Sequence, residues 1–140
     1  MRSRIAAVAA ALAVAVLGGC APRSQTQSAS TALVTINGND AKFNIVNCTQ
    51  VEWYRTIRIG GELSGVTVAV DERREPVTAE SVRIQNLGGF TGMYSQGDGS
   101  DAANISLSNG KFTITGTAHG YKVDKPNEPA TATFKIIATC

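Results

Sequence analysis

The sequence predicts an all-β fold, a single antiparallel β-sandwich or partly open barrel of about seven to nine short strands over residues 32–140. Three observations lead there. Apolar residues alternate with polar ones at period two in one segment after another. Gly, Asn, Asp and Pro clusters interrupt those segments every ~8–12 residues. After the N-terminal stretch, no segment of useful length carries the periodicity of an amphipathic helix. With one Trp, three Tyr and four Phe, the core must be built mainly from Val, Ile, Leu and Ala.

The elements follow in order. Ala32–Asn37 and Lys42–Asn47 flank Gly38-Asn39-Asp40, and the Asn37-Gly38 step supplies positive φ cheaply, which marks a hairpin. Phe43 and Ile45 are out of phase with Cys48, so a bulge or strand end is expected near Asn47. Glu52–Ile59 reads as a longer strand, and Gly60-Gly61 turns it into Leu63–Val70, where Val66, Val68 and Val70 share a face. Asp71–Pro76 is a charged loop, and Val77–Ser81 has room for one helical turn. Glu80–Asn86 resumes a strand, with Val82 and Ile84 on one side, and Gly88-Gly89 leads into a short piece at Phe90–Tyr94. Asn104–Leu107 and Lys111–Ala118 flank Ser108-Asn109-Gly110, the clearest hairpin turn. Phe112, Ile114, Gly116 and Ala118 point one way there. Ala118–Pro129 reads as a loop because of Pro126 and Pro129. The strand Ala130–Thr139 turns Ala132, Phe134, Ile136 and Ala138 to one face, and Cys140 continues it.

The N-terminal stretch is of another kind. Ile5–Leu17 contains only Ile, Ala, Val and Leu, follows Arg2 and Arg4, and ends at Gly18-Gly19-Cys20. A helix of that length, at ~1.5 Å per residue, falls short of a ~30 Å hydrocarbon core. Residues 1–19 therefore read as a signal peptide. The small residues admit a peptidase to the backbone, and the Cys20 thiol is available for lipid. Ala21–Thr31, APRSQTQSAST, has no bulky apolar residue and reads as a tether, so residues 20–31 form a lipidated, flexible segment. Its Ser and Thr residues are acceptors for O-glycosylation on composition alone.

Thirteen Lys and Arg stand against eleven Asp and Glu. Loss of Arg2 and Arg4 with the signal leaves eleven against eleven. A neutral chain with no basic stripe argues against a nucleic-acid partner. Of the three cysteines, lipidation of Cys20 leaves Cys48 with Cys140, in a compartment that permits disulfides.

Chemistry is sparse. His119 is the single histidine, no Gly-x-Ser-x-Gly elbow occurs, and one histidine cannot make a zinc site, so no catalytic, cofactor or metal residues are expected. Gln96–Asp101 offers two carboxylates in a Gly-rich loop without the EF-hand pattern, which a solvated turn explains. The mixed charges of Asp71–Glu75 read as a self-compensating loop. Val51, Trp53, Ile57 and Ile59 share a parity that Arg55 interrupts. Either Arg55 snorkels out at a twisted edge, or Trp53 and Arg55 line a pocket that holds an acidic headgroup.

The Leu17-Gly18-Gly19-Cys20 lipobox, the Ser/Thr tether, the Val34-Thr35-Ile36-Asn37-Gly38 opening and Asn47-Cys48-Thr49 resemble the mycobacterial 19 kDa lipoprotein antigen family. So do Asn109–Ala118, NGKFTITGTA, and Phe134–Cys140, FKIIATC. The resemblance implies a lipid-anchored envelope protein without catalysis, on the outer side of the plasma membrane, surface-exposed or shed. It implies acyl groups such as palmitate on Cys20, paired Cys48 and Cys140, a glycosylated tether, and host innate receptors or envelope components as partners. The first functional reading is thus a non-catalytic interaction or structural module. The alternative is a small carrier that holds a lipid or other apolar ligand near Trp53 and Arg55, although so small a domain leaves little room for a cavity of several hundred Å³.

Overall fold

In the computed structural model, residues 30–73 and 75–140 are described. The signal peptide, Cys20 and most of the expected tether lie outside them. Ten strands follow one another: β1 Ala32–Ile36, β2 Asn39–Phe43, β3 Val46–Val51, β4 Tyr54–Gly60, β5 Gly65–Asp71, β6 Thr78–Leu87, β7 Phe90–Ser95, β8 Asn104–Ser108, β9 Lys111–Lys122 and β10 Lys125–Thr139. Every pairing is antiparallel, in the order β2-β1-β10-β9-β7-β6-β5-β4-β3. β8 stands off this path and pairs with Lys111–Thr115 of β9, while β7 pairs with His119–Lys122 of the same strand. β9 is where the sheet divides and wraps into a nearly closed, barrel-like fold around one core.

Alternation in the strands decides what enters that core. Val66, Val68 and Val70 of β5, Val82 and Ile84 of β6, Phe112 and Ile114 of β9, and Phe134 and Ile136 of β10 are buried, as period two requires. Tyr94 is 1 % exposed and packs 6.3 Å, centroid to centroid, from Phe134. Its hydroxyl accepts from the Ala103 N–H at 3.0 Å, so the phenol is satisfied in the core and pins the loop before β8. The Asn37-Gly38 and Asn109-Gly110 steps have positive φ at both residues, the geometry of two-residue hairpin turns.

The structure differs from the sequence-based expectation in four places. Lys42–Asn47 is not one strand: the chain breaks at Asn44-Ile45, not near Asn47. That break resets the phase, so that Val46 and Cys48 both pack on the core. Glu52, at φ 53°, and Trp53 form a turn, which leaves Val51 and Trp53 exposed and apart from buried Ile57 and Ile59. Val77–Ser81 holds no helical turn, because β6 starts at Thr78 with a bulge between Ala69 and Val70 of its partner. Ala118–Pro129 is no loop: β9 and β10 extend to a tight turn at Val123-Asp124. A register shift between Lys125 and Pro129 accommodates the two prolines. These splits and extensions bring the count to ten strands.

Candidate functional site

The expected pocket residues sit at one end of the sheet, and what surrounds them is charge. Arg55 shares inward parity with Ile57 and Ile59 and lies half-buried at the mouth of the core. Its Nε donates to Glu72 Oε1 at 2.7 Å and its Nη2 to Gln50 Oε1 at 2.7 Å, while its guanidinium carbon stands 5.4 Å from the Phe112 ring centroid. Gln50 Nε2 closes the group by donating to Glu72 Oε2 at 2.9 Å. Arg55 is thus ion-paired within the fold through two of its five N–H donors, with part of its side chain still open to solvent.

Trp53 lies beside a second pair. Arg73 donates from Nε to both oxygens of Asp71, at 3.0 and 2.9 Å, and its backbone N–H donates to Oδ1 at 2.9 Å. Its guanidinium carbon stands 5.7 Å from the ring centroids of both Trp53 and Tyr54. These side-chain and backbone hydrogen bonds from Arg73 lower the Asp71 pKa to about 2. The same side-chain bond raises that of Arg73. The partners Gln50, Asp71, Glu72 and Arg73 escape a reading confined to one strand, because they come from β3, β5 and the following loop. The one signal was the mixed sign of Asp71–Glu75.

His119 meets the Gly-rich loop. Its Nε2 is 3.1 Å from Ser100 Oγ, and that hydroxyl donates to Asp98 Oδ1. The backbone N–H groups of Ser100 and Ser95 also donate to Asp98, at 2.9 and 3.2 Å. The Asp98 carboxyl is held below the usual range, first by the Ser100 hydroxyl and then by these backbone donors. Serine, histidine and aspartate are thus brought together, but in the order His–Ser–Asp. A hydrolytic relay needs the carboxylate behind the histidine, orienting it as a base. Here Asp98 stands behind the serine and organises its own turn, with His119 exposed.

Cys48 and Cys140 form a disulfide with Cα atoms 5.7 Å apart. Cys140 lies one residue beyond β10 and is itself exposed, and its N–H donates to Gly110 O at 3.2 Å. The bond clips the β3 edge of the sheet to the end of β10.

Among the grooves on the described residues are ones of about 660, 510, 420 and 190 Å³, and neither Trp53 nor Arg55 lines any of these. The large core side chains Tyr94, Phe112, Phe134 and Ile136 line none either. The grooves of about 660 and 510 Å³ lie side by side on the outer face of β4–β7 and share Arg83, Gln85 and Met93. A row of directly paired residues crosses that face: His119, Met93, Arg83, Thr67, Arg58 and Asn47. The floor beneath it is backbone. A Cβ on Gly120 would come within 2.0 Å of Thr91 O and 2.4 Å of Gly92 Cα, so only glycine lets β7 and β9 approach so closely.

Residues 25–140 match the family model of the Mycobacterium 19 kDa lipoprotein antigen. The chain belongs to that family. A putative lipoprotein of Mycobacterium avium subsp. hominissuis is 57% identical over 141 residues, covering 100% of this chain and 97% of the relative. The probable lipoprotein LppE of Mycobacterium tuberculosis is 31% identical, with 84% of each chain covered. Lipoprotein LpqH of Mycobacterium bovis BCG is 29% identical, with 97% of this chain and 96% of the relative covered. The resemblance carried by the lipobox, the Asn-Cys-Thr segment and the terminal strand motifs thus extends across the β-domain.

Proposed function

We propose that this member of the 19 kDa lipoprotein antigen family is held in the cell envelope by acyl groups on Cys20 and presents its β-domain beyond the membrane as a non-catalytic interaction module. Residues 1–19 are the signal that is removed, and residues 20–31 are the leash. The observation that carries this reading is where the molecule puts its space. The core is filled by side chains from all around the sheet, and the grooves open on the surface. A carrier needs an enclosed apolar cavity with a few convergent polar groups. Arg55, the polar group best placed for one, is already paired with Glu72. The His119–Ser100–Asp98 order supports a loop fastening rather than a hydrolase. The acylated N-terminus remains the part a host innate receptor would read, and the domain is the part that meets envelope components.

The test is native mass spectrometry of the acylated chain extracted in detergent, compared with its denatured mass. The expected mass is polypeptide plus acyl groups less two hydrogens for the Cys48–Cys140 bond, unchanged on denaturation. Extra mass that survives detergent and leaves on denaturation would identify an enclosed ligand and replace the module with a carrier.

A further inference from the structure

The outer face of β4–β7 carries arginine charge that the fold does not pair among the described residues. Four arginines are described on or beside these strands. Arg55 and Arg73 are ion-paired, whereas Arg58 and Arg83 form no ion pair among the described residues. Arg83 and Arg58 are each paired directly with Thr67, so they flank it from the two neighbouring strands. Strands lie ~4.8 Å apart, which puts the two stems ~10 Å apart and lets both guanidiniums reach one group above the threonine. Planar forks of donors at that separation suit a phosphate oxygen cluster. Glu62 is the single acidic residue lining either large groove.

Beside this cationic half, the groove of about 660 Å³ is edged by two apolar tips. Leu63, in the turn from β4 to β5, is 85% exposed, and Val123, in the turn from β9 to β10, is 47% exposed. Single exposed apolar residues are ordinary. Two on separate turns that edge one groove, with Met93 and Tyr121 each 39% exposed between them, form a patch. Lys122 and Lys125 flank the Val123-Asp124 turn, so two positive charges outweigh the one of Asp124 at this apolar tip. Basic residues set behind exposed apolar tips are the chemistry of a surface that meets anionic lipid.

We infer that this face docks on an anionic lipid surface, with Arg58 and Arg83 on headgroup phosphates and Leu63 and Val123 entering the interfacial layer. The inference deepens the proposed function and rests on its anchor. By composition Ala21–Thr31 reads as a tether, and eleven residues taken as a random coil would give a root-mean-square reach of ~18 Å, at ~5–6 Å times the square root of the length. Anchoring therefore keeps the lipid surface at high local concentration, and a weak contact suffices to orient the domain.

Trp53, the chain's one tryptophan, lies at the opposite end of β4 from Leu63, roughly 24 Å away at ~3.4 Å per strand residue. It serves as the internal reference. The full lipid-anchored chain is placed in vesicles of brominated phosphatidylglycerol or brominated phosphatidylcholine. Tryptophan quenching is compared between the native chain and Trp53→Phe/Leu63→Trp. In phosphatidylglycerol, Trp at position 63 is expected to be quenched at least about threefold more than native Trp53. Phosphatidylcholine, or the added pair Arg58→Glu/Arg83→Glu, should remove most of that difference. Native emission from Trp53 in a chain carrying only the charge reversals shows that the domain still folds. Equal quenching at both positions, or a difference that survives charge reversal, overturns the inference while the anchor stands. A chain that stays with neither vesicle overturns the anchor and this inference with it.

Discussion

Arg55 and Arg58 are three residues apart on β4, and they live in different worlds. Arg55 points inward, at the mouth of the core, where Glu72 and Gln50 take two of its donors and Phe112 lies beneath it. Arg58 points outward with Arg83, into an open groove that no carboxylate crosses except Glu62. Strand parity alone separates them, since an odd spacing on a strand changes the face. An arginine turned toward apolar surroundings must be compensated by the fold, so the first region is self-contained. An arginine turned to solvent carries no such requirement, and the second region keeps its charge for something outside.

The sharpest challenge to this comparison is to loosen the frame that both regions share. Replacing Cys48 and Cys140 with Ala should cost about 4.6 kcal/mol in the chain-entropy treatment, given a sequence separation of 92. Urea unfolding should show the loss with near-UV dichroism preserved at low urea. Arg55→Ala comes next. It takes the cation from Glu72, which keeps only the Gln50 amide, and removes the guanidinium from Phe112, and about 2 kcal/mol should be lost, less than for a fully buried pair because both side chains keep some water contact. Asp71→Asn should do less at neutral pH and change the acid limb of stability. The Asp71 pKa is lowered to about 2 in the folded chain. Its contribution is therefore complete above the ordinary carboxylate value of ~4 and is lost as pH falls through about 2. Urea midpoints between pH 2 and 5 should fall more steeply for the native chain than for Asp71→Asn. Smallest is Arg58→Ala/Arg83→Ala, which should leave stability within about 0.5 kcal/mol. A large loss there would mean that the outer arginines are structural too, and the contrast between the regions would collapse.

The alternation that places Val66, Val68, Val70, Val82, Ile84, Phe112, Ile114, Phe134 and Ile136 in the core is legible residue by residue, because each strand obeys period two locally. What misleads is punctuation. Pro126 and Pro129 look like strand breakers, yet a bulge near the tip of a long hairpin tolerates them. Asn44-Ile45 lacks any Gly or Pro, yet it is where the chain turns a corner and restores Cys48 to the core face. The phase conflict at Cys48 announced a break and misplaced it. The candidate site divides in the same way. Arg55 was visible as an anomaly in an apolar row, but its partner lies on the loop after β5, and no one-dimensional pattern pairs positions 55 and 72. The outer row from His119 to Asn47 joins residues of six different strands, so it exists only once the register is known. The Ser100–His119 contact is likewise a product of the fold. Cysteine arithmetic fared better, since two of three cysteines outside the lipidation motif leave one intramolecular pairing.

Everything proposed for this protein outside its fold depends on Cys20, so detergent phase partition of the native chain against Cys20→Ala is the most direct test. The native protein is expected in the detergent phase and in the membrane pellet, with the Cys20→Ala chain losing the acyl mass and shifting away from both. Equal partition of the two chains, with no acyl mass on the native one, would contradict the lipid anchor and leave the β-domain without the membrane it is proposed to work beside.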